Sequence, residues 1–280
     1  MNKSEEYGTL VIFTALSPLA VGGLFGLLVT PVTKSNPGTD WAAMTVLSTG
    51  ALALVISLLH LGRPWRAPLA LRRFNSSWLS REVILFGVFL VLLGFYGIMP
   101  AIIQDSLVLH LFGFTAAISG LAATVATGET YRLRARPSWD HWVSVSSFPL
   151  GALSAGCLFG FFVARQFSGH NTVPCIAWAV TALFLLSAAV VTWVRSTRRR
   201  PDSEEGSLSR KYVFKSFIWL LVLRGAATIV ALMMIGSGNG MQFLAWIPAL
   251  VGEFSDRYLF FMTAIPVTLR GRYLGIEEAR

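Results

Sequence analysis

Residues 58–87 read LLHLGRPWRAPLALRRFNSSWLSREVILFG. Behind this segment lies an apolar run over 42–61, ahead of it another over 83–103, and the stretch between them holds five arginines. About 20 apolar residues at 1.5 Å each suffice to cross ~30 Å of hydrocarbon. Neither run alternates with period 2. In lipid, where every backbone group needs an internal partner, both therefore read as helices and not barrel strands. The quoted segment is a helix end, a basic loop and a helix start.

The same pattern recurs along the 280 residues, giving eight spans over 10–30, 42–61, 83–103, 106–127, 143–164, 173–194, 212–235 and 243–269. Only 13% of residues are charged and 54% are hydrophobic, against roughly 25% charged in soluble domains. The expected fold is an all-α integral membrane protein, a bundle of eight transmembrane helices forming one domain over 1–280. The first run reads as a retained span: it is longer than a leader's apolar core, and Glu5 and Glu6 spoil a basic leader. A charged loop over 195–211, RSTRRRPDSEEGSLSRK, divides six spans from two without creating a second domain.

Basic residues segregate between the two ends of these spans. The N-terminus, the loops 62–81, 128–142 and 195–215, and the C-terminal tail carry nearly all of the 23, whereas the opposite loops carry only Lys34 and Arg165. The positive-inside rule then puts both termini on the cytoplasmic side of the inner membrane. Because the net charge of +9 is scattered over short loops, it does not read as a nucleic-acid surface; anionic membrane lipid is a partner it can meet. Trp41, Trp65, Trp78, Trp139, Trp142, Trp193 and Trp246 fall near span ends, as amphipathic rings at an interface do. Cys157 and Cys175 sit at different depths and read as packing residues.

Four histidines raise haem ligation, but His60, His110, His141 and His170 offer no pair within spans at matching depth. His60 and Glu82 both fall at the basic interface, on adjacent spans. An imidazole and a carboxylate so placed can take protons from a reduced quinol as its electrons leave. Each alone reads equally as a solvated cap, Glu82 being set in the first turn of its span. Arg224, Glu253, Asp256 and Arg257 lie near the middle of the last two spans, where each charge costs roughly 2.5–3.5 kcal/mol unless paired. Two positive and two negative charges read as a structural cluster.

HLGRPWRAP and SSWLSRE, with LVIFTALSPLAVGG, YRLRARPSW and VGEFSDRYLFF elsewhere, resemble the membrane-anchor subunit of dimethyl sulfoxide reductase-type molybdoenzymes. The likeness covers most of the chain and is tightest over 58–87. It implies eight helices, no haem, iron–sulfur cluster or metal in this chain, and oxidation of menaquinol. It further implies electrons passing to a four-cluster ferredoxin-like iron–sulfur subunit, and from there to a molybdopterin catalytic subunit. The family's quinol-associated histidine and glutamate match His60 and Glu82. Gly62 and Pro64 match as turn formers, and Arg63, Arg66 and Arg81 are placed to meet a quinone carbonyl, a lipid phosphate or a partner carboxylate. A polysulfide-reductase-type anchor is the nearest rival; a secondary transporter would show paired broken helices in inverted repeats, and none is evident.

Overall fold

The computed structural model describes residues 3–30, 40–59, 72–103, 105–133, 136, 138–168, 173–197 and 210–264. All regular structure among them is helical. In chain order the helices are α1 (Lys3–Val29), α2 (Trp41–Leu59), α3 (Trp78–Ile98), α4 (Ser106–Thr130), α5 (Trp142–Gly151), α6 (Cys157–Ser168), α7 (Cys175–Thr197), α8 (Ile218–Gly236) and α9 (Trp246–Met262). A π-helical turn, Ala152–Gly156, joins α5 to α6 into one span, and a second, Val213–Phe217, leads into α8.

Among the described residues, seven of the eight expected spans are long and apolar enough to cross a membrane. The eighth is α9, which is 17 residues long and carries Glu253, Asp256 and Arg257. Helix starts follow local chemistry. Asp40 caps α2, accepting from the N–H groups of Ala42 and Ala43 at 3.0 and 3.1 Å, and Asp105 caps α4 through Leu107 N–H at 2.8 Å. Ser77 caps α3, so that helix begins at Trp78, five residues before the apolar run.

The helices are not equivalent. In α1, and in the span formed by α5 and α6, 78% of the apolar window is buried, whereas in α2 and α3 the share is 28% and 22%. α1 is thus the axis of the bundle. It crosses the π turn and α6 at two facing pairs of glycines, each four residues apart: Gly22 and Gly26 on one side, Gly156 and Gly160 on the other. A Cβ on Gly22 would stand 1.8 Å from the Ala152 carbonyl oxygen, and one on Gly160 2.3 Å from that of Gly23. Backbones approach this closely only where side chains are absent, the small-residue packing of membrane helices. Pro149, which lacks an N–H and so interrupts the helical ladder, stands just before the π turn.

Gly22→Ala should accordingly lower the thermal midpoint of the purified protein, since overpacking costs about 1–3 kcal/mol. Gly87→Ala, where a Cβ meets nothing within 4 Å, should leave it unchanged or raise it. Equal midpoints for the two variants would refute the crossing.

Tryptophans Trp41 and Trp142 open their helices well exposed, and Trp193 is exposed near the end of α7. Trp139 departs from the interfacial expectation. It is buried, donates from Nε1 to the Phe260 carbonyl at 2.8 Å and stacks on that ring at 5.0 Å. Cys157 is buried as expected, whereas Cys175 is exposed at the start of α7.

Candidate functional site

Two polar centres stand out among the described residues. The first surrounds Glu82. Because α3 starts at Trp78, Glu82 belongs to its second turn and not the first, and it is 6% exposed, so it is no solvated cap. α3 packs along α4, an apposition pinned by Ser119 Oγ donating to the Leu85 carbonyl at 2.8 Å. Thr127 and Thr130 present their hydroxyls to the carboxylate across it. Thr127 Oγ1 donates to Oε1 at 2.9 Å and Thr130 Oγ1 to Oε2 at 3.3 Å. Among the described residues no cation lies within ion-pair distance of Glu82.

Arg81, next in sequence, is turned to another task. Its Nε donates to the Phe74 carbonyl at 3.0 Å, one terminal nitrogen donates to that of Asn75 at 2.9 Å, and its guanidinium lies 4.3 Å from the centre of the Trp78 ring. It locks the turn that launches α3. His60, Gly62, Arg63, Pro64 and Arg66 lie outside the described residues. α2, whose last residue Leu59 precedes His60 in the chain, packs against α3.

The second centre is the charge cluster. Arg257, fully buried, pairs with Glu253 one turn earlier, donates to Ser147 Oγ at 3.1 Å and Ser147 O at 3.0 Å, and covers the Phe148 ring at 3.9 Å. Asp256 is bound chiefly by a residue that the sequence places in the charged loop. Arg195, near the end of α7, donates to Oδ1 at 2.5 Å, and Thr192 Oγ1 donates to the same oxygen at 2.6 Å. Arg257 is 3.7 Å from the other oxygen.

The expected two-against-two balance is thus incomplete, because Arg195 joins Arg224 and Arg257 against Glu253 and Asp256. Arg224, 3% exposed, makes no ion pair among the described residues but lies within electrostatic reach of Asp256. Two glycines make room for these groups. A Cβ on Gly151 would be 2.4 Å from Glu253 Oε1, and one on Gly252 would be 2.6 Å from a terminal nitrogen of Arg224.

Tyr131 lies between the centres. It stacks on Phe148 at 6.0 Å and meets Trp139, Phe260 and Phe261 edge-on at 5.5, 5.5 and 5.2 Å. Burial holds its phenol well above the ordinary range, the Glu82 carboxylate pushing the same way and Arg257 the other. It remains a neutral hydroxyl across physiological pH.

Of the histidines described, His141 caps α5 by accepting from Val143 N–H at 3.2 Å, and His110 is exposed on α4 against Phe114. Sequence reasoning missed Thr127, Thr130, Ser147 and Arg195. The threonines' three-residue spacing at the depth of Glu82 was the available signal for the first two.

The family model for the DMSO reductase anchor subunit (DmsC) matches residues 1–200. The chain belongs to this anchor-subunit family. Among curated relatives it is 27% identical over 157 residues to a component of the anaerobic dimethyl sulfoxide reductase of Haemophilus influenzae, covering 54% of this chain and 56% of that protein. It is 31% identical over 215 residues to a component of the sulfite dehydrogenase of Allochromatium vinosum, covering 68% of this chain and 65% of that protein. The matched region therefore spans between about half and two-thirds of the length of these relatives. The anchor-family match takes in α1 to α7, hence Glu82, its two threonines, Tyr131 and Arg195, and stops before Arg224, Glu253, Asp256 and Arg257.

Proposed function

We propose that this anchor subunit oxidises menaquinol at the Glu82 end of α3. In this reading His60 and Glu82 take the two hydroxyl protons. The two electrons leave to a four-cluster ferredoxin-like iron–sulfur subunit and on to a molybdopterin catalytic subunit. Gly62 and Arg63 contribute to the pocket, while Arg81 fixes the start of α3. The bundle counts eight spans with α9 as the last, both termini face the cytoplasm, and the complex sits on the inner membrane. No haem, cluster or metal is bound by this subunit itself.

The observation that carries this reading is the buried Glu82 carboxylate, held by two hydroxyls and by no cation among the described residues. An ionisable group inside a membrane bundle is expensive, and at such a site it marks a proton or substrate path. One observation supports a reversed variant. The relative with the higher identity bears the name of a dehydrogenase, and a site that strips protons from a quinol returns them to a quinone when electrons arrive from the partner.

Single-turnover spectroscopy on the assembled complex tests both directions. Adding menadiol, a naphthoquinol without an isoprenoid tail, should bleach the iron–sulfur clusters of the oxidised complex. Menadione should reoxidise a chemically reduced complex. Clusters that respond to neither, in a complex that responds to its other redox partners, would refute quinone chemistry at this subunit.

A further inference from the structure

We infer that Thr127 and Thr130 are positioning residues, a pair of rotating hydroxyls that keep the Glu82 carboxyl hydrogen-bonded both with and without its proton. The inference rests on the quinol reading above and names the groups that make Glu82 usable there.

Each threonine oxygen has two acceptors within reach but only one proton to give. Thr127 Oγ1 is 2.9 Å from Glu82 Oε1 and 3.0 Å from the Ala123 carbonyl. Thr130 Oγ1 is 3.3 Å from Glu82 Oε2 and 2.9 Å from the Ala126 carbonyl. With Glu82 charged, both hydroxyl protons point to the carboxylate, and each helix carbonyl keeps its backbone partner.

When Glu82 takes a proton, a new O–H bond forms on one carboxyl oxygen as the quinol O–H breaks. That oxygen must now donate. The facing threonine oxygen accepts, since a hydroxyl carries one donor and two lone pairs, and its own proton turns to the carbonyl four residues back. The other threonine goes on donating to the carboxyl C=O. No buried polar group is orphaned in either state, and no heavy atom moves.

Threonines bonded only to the preceding turn are ordinary in membrane helices, and Thr45 and Thr115 behave so here. A carboxylate acceptor on a neighbouring helix sets Thr127 and Thr130 apart. Thr192 has one too, but its carboxylate belongs to Asp256, which Arg195 and Arg257 surround. Glu82 lacks such a cation among the described residues, and Tyr131, whose phenol burial keeps neutral, lies within its electrostatic reach.

The test uses the assembled complex and the rate at which menadiol reduces its iron–sulfur clusters. Replacing both threonines by valine, which keeps shape and removes the hydroxyls, should slow reduction about tenfold or more, because hydrogen bonds to a charged group are the strong ones. Replacing both by serine should retain at least about half the rate. Adding the valine pair to Glu82→Gln should slow that variant no further. In infrared difference spectra the protonated carboxyl band that E82Q abolishes should move to higher frequency in the valine pair. If the double variant does not accumulate, T127V and T130V singly carry the same comparison.

A valine pair as fast as wild type overturns the inference. So does a serine pair as slow as valine, or a valine effect that persists undiminished in E82Q. If E82Q itself reduces clusters at the normal rate, the quinol reading of Glu82 falls first, and the two failures are thereby told apart.

Discussion

Arg257→Met is expected to deplete folded protein from the membrane more than any other single change in the bundle. Arg257 is fully buried and serves the Glu253 carboxylate, both oxygens of Ser147 and, at longer range, Asp256. Methionine preserves much of the volume over Phe148 but strands Glu253 in a site shaped for a pair. Breaking a buried pair by removing one partner costs about 3–5 kcal/mol, a large share of the roughly 5–15 kcal/mol that holds a typical domain together. Adding Glu253→Gln should recover part of the loss, because the orphaned charge goes with it. Arg257→Lys should fare between the two, keeping charge while losing the planar fork that reaches Ser147 and Glu253 together. Size-exclusion profiles of detergent extracts measure all three. A monodisperse Arg257→Met peak at wild-type height and midpoint would mean that the pairs contribute nothing net.

For Glu82→Gln the expectation runs the other way, with activity lost and stability kept. Glutamine has the same shape, and its carbonyl oxygen can still accept from one of the two threonines. A buried carboxylate without a cation among the described residues is an expense the amide avoids, so the thermal midpoint should stay level or rise. The amide is no base. Quinol-dependent cluster reduction should fall about 10²–10⁴-fold, the range that a positioned proton acceptor supplies. The two readouts together separate a working group from a structural one. Unchanged turnover, or a lowered midpoint with turnover falling only in proportion to yield, would remove Glu82 from the site.

Much of the architecture is legible in the sequence, because hydrocarbon thickness dictates run length and the chain has few charges to blur its edges. Among the described residues, seven of the eight runs appear as helices fit to cross a membrane. What escapes is set by neighbours. Glu82 looks like a first-turn cap if its helix is taken to begin with the apolar residues; Ser77 starts the helix earlier and moves the carboxylate inward. Arg195 stands at the head of a string of basic residues and reads as one of them, yet Asp256 on another helix draws it inside. Trp139 sits where a lipid-facing ring belongs, and only its partners Phe260 and Tyr131 show that it faces inward. The glycine crossings leave a trace in the sequence, since both pairs show a three-residue gap. Their mutual facing, however, depends on a π turn that no periodicity announces.

The position of α1 has a consequence for how the chain is made. This helix emerges ahead of α2 to α9, yet the surface that closes on Gly22 and Gly26 belongs to Gly156 and Gly160, about 130 residues further on. At roughly 5–20 residues per second, the ribosome needs on the order of ten seconds to deliver that surface. For that interval the bundle's axis stands in lipid with its notched face open. Ribosome-bound chains stopped before Pro149 should still let a lipid-soluble crosslinker reach Gly22 from the bilayer side, and chains long enough to have inserted α6 should not.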